Sequence, residues 1–285
     1  MSDQTLATNE QSASKEPEIS EGFARYLRTQ RRRSMQVTVF QIAIIVGFLI
    51  LWEVGPRLNW INPMLTSYPS AVLRTLWGLI LDGSLWGHTL ATFYATLIGF
   101  VGSLIIGTAV AAVLWLSPFL ARVLDPIIVV LNALPKIALV PVFFIWLGAT
   151  SSIYAMAISI SVFVTIVMLY TGFQAVDDDK IRLAKLYGAS RIQILGKIIL
   201  PGSVPTMISA LKISAGLSLV GVVVGEFQAS KAGLGYLITF GGQIFQMNLV
   251  MTSLVVLAIL STVLFAAIKY LESFIYRRRG IKSGP

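Results

Sequence analysis

The chain has no cysteine and a single histidine, His88, in 285 residues. Disulfides, cysteine-ligated zinc, thiol nucleophiles and multi-histidine metal sites are therefore excluded. Charge is scarce too: 12% of residues are Asp, Glu, Lys or Arg, against roughly 25% in a soluble domain. No Gly-rich loop ends in Lys-Ser or Lys-Thr, so the chain does not hydrolyse ATP itself. Serines in the apolar runs lack a histidine partner. No acid lies well inside such a run, and no acidic pair falls at helical spacing within one. No catalytic constellation survives these absences.

What the chain has in excess is apolar surface: 56% of residues are hydrophobic and mean hydropathy is +0.80. Such a chain needs lipid as solvent for much of its surface. Its net charge of +9 then reflects cytoplasmic loops and an anionic leaflet rather than nucleic acid. Residues 1–36 are polar and mixed in charge. They read as a cytoplasmic tail, disordered to at least about Ser20, and not as a secretory signal.

About 20 apolar residues cross a bilayer, and six runs qualify: Val37–Val54, Thr89–Leu116, Pro126–Leu147 (interrupted by Pro135 and Pro141), Ile153–Gly172, Val204–Val224 and Leu249–Leu271. In the second, Gly99, Ser103 and Gly107 form a small-residue stripe for close helix packing. Pro69-Ser70 starts an amphipathic helix through Leu81, too short to span and placed in the interface with Trp60, Trp77 and Trp86. Residues 226–248 read as a Gly-rich outer loop. With the N-terminus inside, sixteen of the 22 Lys and Arg fall on inner segments. Only Arg57, Arg74 and Lys231 fall outside, while Lys136, Lys212 and Lys269 lie in spans. That asymmetry predicts a multi-pass protein of the cell (inner) membrane with both termini cytoplasmic.

The polar stretch Asp177–Pro201 then lies in the cytoplasm. Asp177, Asp178 and Asp179 suit a helix start. Gly188 suits a left-handed helix end, and Ser190 with Gln193 suits a capping box. The pattern predicts two short helices bent at Gly188, the second stopping at Pro201. An amphipathic loop resting on headgroups fits the charge pattern as well.

Within this stretch Ala184, Gly188, Ile198, Leu200 and Pro201 fall in the register of the cytoplasmic-loop motif of permeases of binding-protein-dependent ABC importers. Arg182 and Leu183 stand where that family often has Glu and Ala. The sequence resembles its nitrate/sulfonate/taurine branch, in which the Glu is often replaced. Pro69–Phe93, Leu124–Gly148 and Gly221–Ile238 resemble further segments of the same branch, in the same order. The resemblance implies an all-α type I ABC importer permease fold with about six transmembrane helices and a cytoplasmic coupling-helix pair. It implies a permease domain over 37–285, with its core at about 85–276 and a coupling loop at 173–201.

Implied partners are a second permease copy, a cytoplasmic ATPase dimer, an extracytoplasmic solute-binding protein and membrane lipid, with no nucleic acid. No cofactor is implied on this chain; ATP and Mg belong to the partner ATPase. Coupling would fall to Ala184, Tyr187, Gly188, Ala189, Arg191, Ile198, Leu200 and Pro201, with Arg191 or Tyr187 supplying the docking contact in place of the missing carboxylate. The branch moves sulfonates, taurine, nitrate, bicarbonate, aromatic acids and vitamin precursors, so a small organic anion is the expected solute.

Six residues are pathway candidates. Pro135 and Pro141 either open backbone towards a pathway or only kink a helix. Lys136, far from the span's inner end, is read as facing inward. Asn132, one turn earlier, binds either solute or a neighbouring helix. Lys212 sits on a polar stripe or snorkels. Glu226 pairs with Lys231 or contacts the binding protein. A stand-alone secondary transporter is the alternative; it calls for acids at mid-membrane, which the spans lack. A structural membrane protein is the third class.

Overall fold

A computed structural model describes residues 21–279; the expected disordered segment to Ser20 lies outside them. The chain divides into two units, residues 1–60 and 61–285. The first unit contains one helix, α1 (Glu21–Arg57), apolar from Met35 onward. The polar residues 21–36, expected to belong to a largely disordered tail, are instead helical. Side chains from Val37 to Leu51 are exposed, a surface suited to lipid.

The second unit is helical throughout its regular structure: α2 (Pro63–Thr66), α3 (Pro69–Leu81), α4 (Ser84–Leu116), α5 (Pro118–Ala133), a 3-10 turn (Lys136–Leu139) and α6 (Val140–Gln174). It continues with α7 (Asp178–Leu186), α8 (Arg191–Ile194), a π segment (Leu195–Ile199), α9 (Leu200–Gly202), α10 (Val204–Ala229), α11 (Leu234–Gln243) and α12 (Met247–Arg279). Asp82 caps the start of α4, accepting from the Ser84 amide at 2.8 Å and hydroxyl at 2.6 Å. Both bonds favour the carboxylate and hold its pKa below the usual carboxylate range.

The core is the three-helix contact of α4, α6 and α10. In lipid this contact draws on close packing and interhelical hydrogen bonds rather than escape from water. The stripe Gly99, Ser103, Gly107 faces α6. A Cβ at Gly99 would overlap that of Ala157, and one at Gly107 would lie 2.7 Å from Thr165. Gly221 and Gly225 of α10 press on Ala157 and Ile153. Hydroxyls bridge the same faces: Ser214 to Ser103 at 2.9 Å, Thr165 to Ser214 at 3.1 Å, and Ser218 to Ser161 at 3.1 Å. These pairings make α4 and α6 parallel and α10 antiparallel to both. Against them α3, α11 and α12 bury Leu85, Leu219, Leu234, Leu237, Leu249, Val256 and Leu260. The face of α3 carrying Val72, Leu76, Leu79 and Ile80 is packed, as its spacing predicts.

Among the described residues five helices are long and apolar enough to span, rather than six. The expected third span, Pro126–Leu147, is not one helix. It begins earlier, at Pro118, and ends at Ala133. After an extended Leu134 and the 3-10 turn, α6 starts and then bends at Gly148, where φ is +76°. Yet the chain must recross here, because parallel helices α4 and α6 both run towards the coupling loop. The guanidinium of Arg191 donates to the Leu116 carbonyl at the end of α4 at 2.8 Å. At the other face, Phe144 and Thr150 share a cavity with Ala91 and Gln228. Segment 118–148 is thus a crossing in pieces. Sixteen residues of α5 reach only about 24 Å of a core of about 30 Å.

Two further expectations change. The outer loop 226–248 is largely structured: α10 runs on to Ala229 and α11 fills Leu234–Gln243. Pro201 does not stop the second coupling helix. A proline ring clashes with the carbonyl four residues back in an α-helix. Here residues 195–199 are π-wound, and the chain turns only at Ser203 before α10.

Candidate functional site: coupling face, broken crossing and outer cavity

At the coupling face, Asp177 caps α7 by accepting from the Asp179 amide at 2.9 Å. Gly188 adopts φ +77°. Ser190 and Gln193 complete the capping box, with bonds of 3.3 and 2.8 Å. Ile194, Leu195 and Ile199 are buried with Leu169 and Phe173 of α6, Ala111 of α4 and Ala210 of α10. Ala184, Ala189, Ile198 and Leu200 pack partly against this cluster, while Pro201 is exposed. Arg191 braces α4 internally, whereas Tyr187 and the adjacent Leu186 project with 84% and 85% exposure. Of the two docking guesses, geometry leaves Tyr187 available and gives Arg191 another partner. A groove of 390 Å³ runs beside Tyr187 between Lys180 and Lys197, floored by Ala184 and Ile198.

The pathway candidates of the third crossing gather at its break. Lys136 donates to the Asn132 carbonyl at 2.8 Å, satisfying an orphan carbonyl of α5, and lies 5.3 Å from the Phe163 ring centre. Asn132 and Pro135 are exposed beside it. Pro135 lies just beyond α5 and Pro141 in the first turn of α6, so neither kinks a helix interior. Lys212 is not among them: it forms an ion pair of 2.7 Å with Glu272 of α12.

At the opposite face Glu226 does not pair with Lys231. It is 2% exposed and accepts from the Thr92 hydroxyl at 2.8 and 3.1 Å and from the Gly235 amide at 2.7 Å. Thr92 in turn accepts the Leu234 amide at 2.8 Å, and His88 Nδ1 accepts that of Gly233 at 3.0 Å. His88 also stacks on Tyr236 at 5.8 Å. Thr92 lies seven residues, about two helical turns, before Gly99 and so on the same face of α4 as the small stripe, a signal the sequence reading did not use. Nothing in the spacing foretold the partners of His88 or Lys212. Beside this network, α4, α6, α10 and the strap 230–232 line a half-open cavity of 570 Å³, with Lys231 on its wall. Among the described residues no group of three His, Asp or Glu is placed to hold a metal.

The sequence profile described as "Binding-protein-dependent transport system inner membrane component" matches residues 103–280. The taurine transport system permease of Escherichia coli (strain K12) is 28% identical over 255 residues, covering 87% of this chain and 92% of that one. A relative from the same organism, named for aliphatic sulfonates transport, is 26% identical over 229 residues, covering 80% and 87%. The structure resembles a chain of the inward-facing MetNI methionine ABC transporter, with TM-score 0.58 at 19% identity. That match covers 67% of this chain and 94% of that one, and bears on the fold alone.

Proposed function

We propose, from the premise that the chain belongs to the family of binding-protein-dependent transport system inner membrane components, that Asp177–Pro201 is the element through which a partner ATPase drives solute import. The chain is the membrane-spanning permease subunit of an ABC importer and is not itself an enzyme. An ATPase and a solute-binding protein are its family partners. The solute, by the names of its relatives, is a small sulfonate-type anion. Two copies of the chain would form the pathway, with both termini and the coupling face in the cytoplasm. ATP and Mg would act only at the ATPase.

One observation carries the coupling assignment. The helix pair is fastened to α4, α6 and α10 by its buried side, yet presents Leu186 and Tyr187 almost fully exposed at its tip. When ATP closes the ATPase dimer, the pair moves as one body. It pulls α6 and α10 directly, because no slack separates them. The pathway then turns outward to receive solute, and hydrolysis resets it. Asn132, Pro135, Lys136 and Pro141 at the broken crossing are its proposed lining. Lys212 and Glu226, both engaged in interhelical contacts, are proposed to hold its walls.

The test is ATP-dependent uptake of a radiolabelled sulfonate by proteoliposomes containing permease, ATPase and binding protein. Tyr187→Asp should abolish uptake, as should deletion of Ala184–Pro201, with membrane insertion intact. Continued uptake by either variant would overturn the assignment.

A further inference from the structure

We propose that the cavity at the face opposite the coupling loop is a binding site for a small amphiphilic organic anion, with Lys231 holding the anionic head. The proposal rests on the permease reading and supplies it with a first solute site. At 570 Å³ the cavity falls within the size range of ligand pockets, about 300–1,000 Å³. Tyr94, Phe144 and Tyr154 give it an apolar, aromatic wall, and Thr150 and Gln228 supply polar groups.

Glu226 and Lys231, both in the lining, differ in what they offer a ligand. Glu226 is buried, and its oxygens are already engaged by Thr92 and Gly235. Lys231 is exposed, on a strap pinned at each side. Before it, the Ser230 hydroxyl accepts the Ala232 amide at 3.0 Å. After it, the Gly233 and Leu234 amides bind His88 and Thr92. The backbone that carries the cation is therefore held in place before a ligand arrives, which lowers the ordering cost of the strap. An apolar wall beside a positive charge focuses its field on an entering anion, and the aromatic rings suit a hydrocarbon body.

The absence of cysteine permits a direct test. Thr150→Cys places one thiol in the cavity of the purified permease–ATPase complex in lipid nanodiscs. Its labelling rate is measured with an anionic reagent, sulfonatoethyl methanethiosulfonate, and a cationic one, the trimethylammonioethyl analogue. For a unit charge about 8 Å away, adding Lys231→Gln should lower the anion-to-cation rate ratio about fivefold at low ionic strength. Lys231→Arg should preserve the ratio. Butane-1-sulfonate should slow labelling when Lys231 is present and not in Lys231→Gln. A ratio indifferent to Lys231→Gln overturns the proposal, as does protection by butane-1-sulfonate that is absent or equal in both forms. Labelling needs no transport cycle. A failure here leaves the uptake test of the permease standing, and a failure of uptake leaves the labelling result interpretable.

Discussion

Replacing Gly233 with alanine adds one methyl group where there is no room. Its Cβ would overlap the Glu226 carboxylate, and the backbone there has φ +114°. The backbone conformation alone costs a side chain about 1–3 kcal/mol. Relieving the overlap displaces a buried carboxyl group, and leaving one of its hydrogen-bond partners unsatisfied costs about 1–3 kcal/mol. The total is then about 2–6 kcal/mol. Glu226→Ala removes the three atoms nearest the methyl, so in that background Gly233→Ala should cost mainly the backbone term. The coupling between the two substitutions is then about 1–3 kcal/mol. Gly235→Ala is the control. Its Cβ would lie 2.8 Å from Glu226 Cβ and 2.9 Å from both Glu226 Oε2 and the Val223 carbonyl; Glu226→Ala removes only Oε2 and leaves the other two in place, so at most a small rescue is expected. Melting of the detergent-purified protein, followed by fluorescence-detected size exclusion, reads these differences at roughly 2–4 °C per kcal/mol. Equal melting shifts for Gly233→Ala in the two backgrounds would refute the contact.

Four other outcomes follow from named contacts. Ser214→Ala removes the hydroxyl shared by Ser103 and Thr165 and should cost about 1 kcal/mol in the same melting assay; an unchanged melt would show those bonds are not formed. Lys212→Met leaves Glu272 unpaired and should destabilise, whereas adding Glu272→Leu should restore most of the loss; a double variant no better than the single one argues against the pair. Arg191→Ala should reduce solute moved per ATP hydrolysed by loosening α4 from the coupling pair, with partial recovery in Arg191→Lys. Unchanged stoichiometry would leave Arg191 without a role in coupling. Asp82, its folded pKa lowered by the bonds from the Ser84 hydroxyl and amide, stabilises the start of α4 fully above its unfolded value and loses that contribution as pH falls through the folded one. Carbon-13 carboxyl titration should give a lower Asp82 midpoint in the native protein than in Ser84→Ala, and equal midpoints would contradict the Ser84 hydroxyl bond.

The coupling pair was legible because its signals are local. Asp177, Gly188 and the Ser190–Gln193 box each act within a few residues, and all three appear as their spacing predicts. The small stripe of α4 was legible for a similar reason, since one helix face carries it. Contacts between distant segments left no such trace. Glu226 meets Thr92 across 134 positions, and Lys212 meets Glu272 only because α10 and α12 run antiparallel. Lys231, nearer in sequence, was the plausible but mistaken partner for Glu226. The broken third crossing was half visible. Two prolines announced an interruption, but the bend at Gly148 looks in the sequence like any glycine in an apolar run. The helix α11 was hidden by the glycines that let it press against Glu226 and Val250.

The π segment and the single turn at Ser203 join the second helix of the coupling pair to α10 with no loop between them. From Val204 to Ala229 α10 is a rod of 26 residues, about 39 Å of helix, with that helix pair before one end and Glu226 near the other. It is a lever arm. A tilt of roughly ten degrees at its base would carry its tip about 7 Å, comparable to the width of a small solute. On the proposed coupling, a modest push on Tyr187 would be geared up into a displacement of the strap that carries Lys231, at the opposite end of α10.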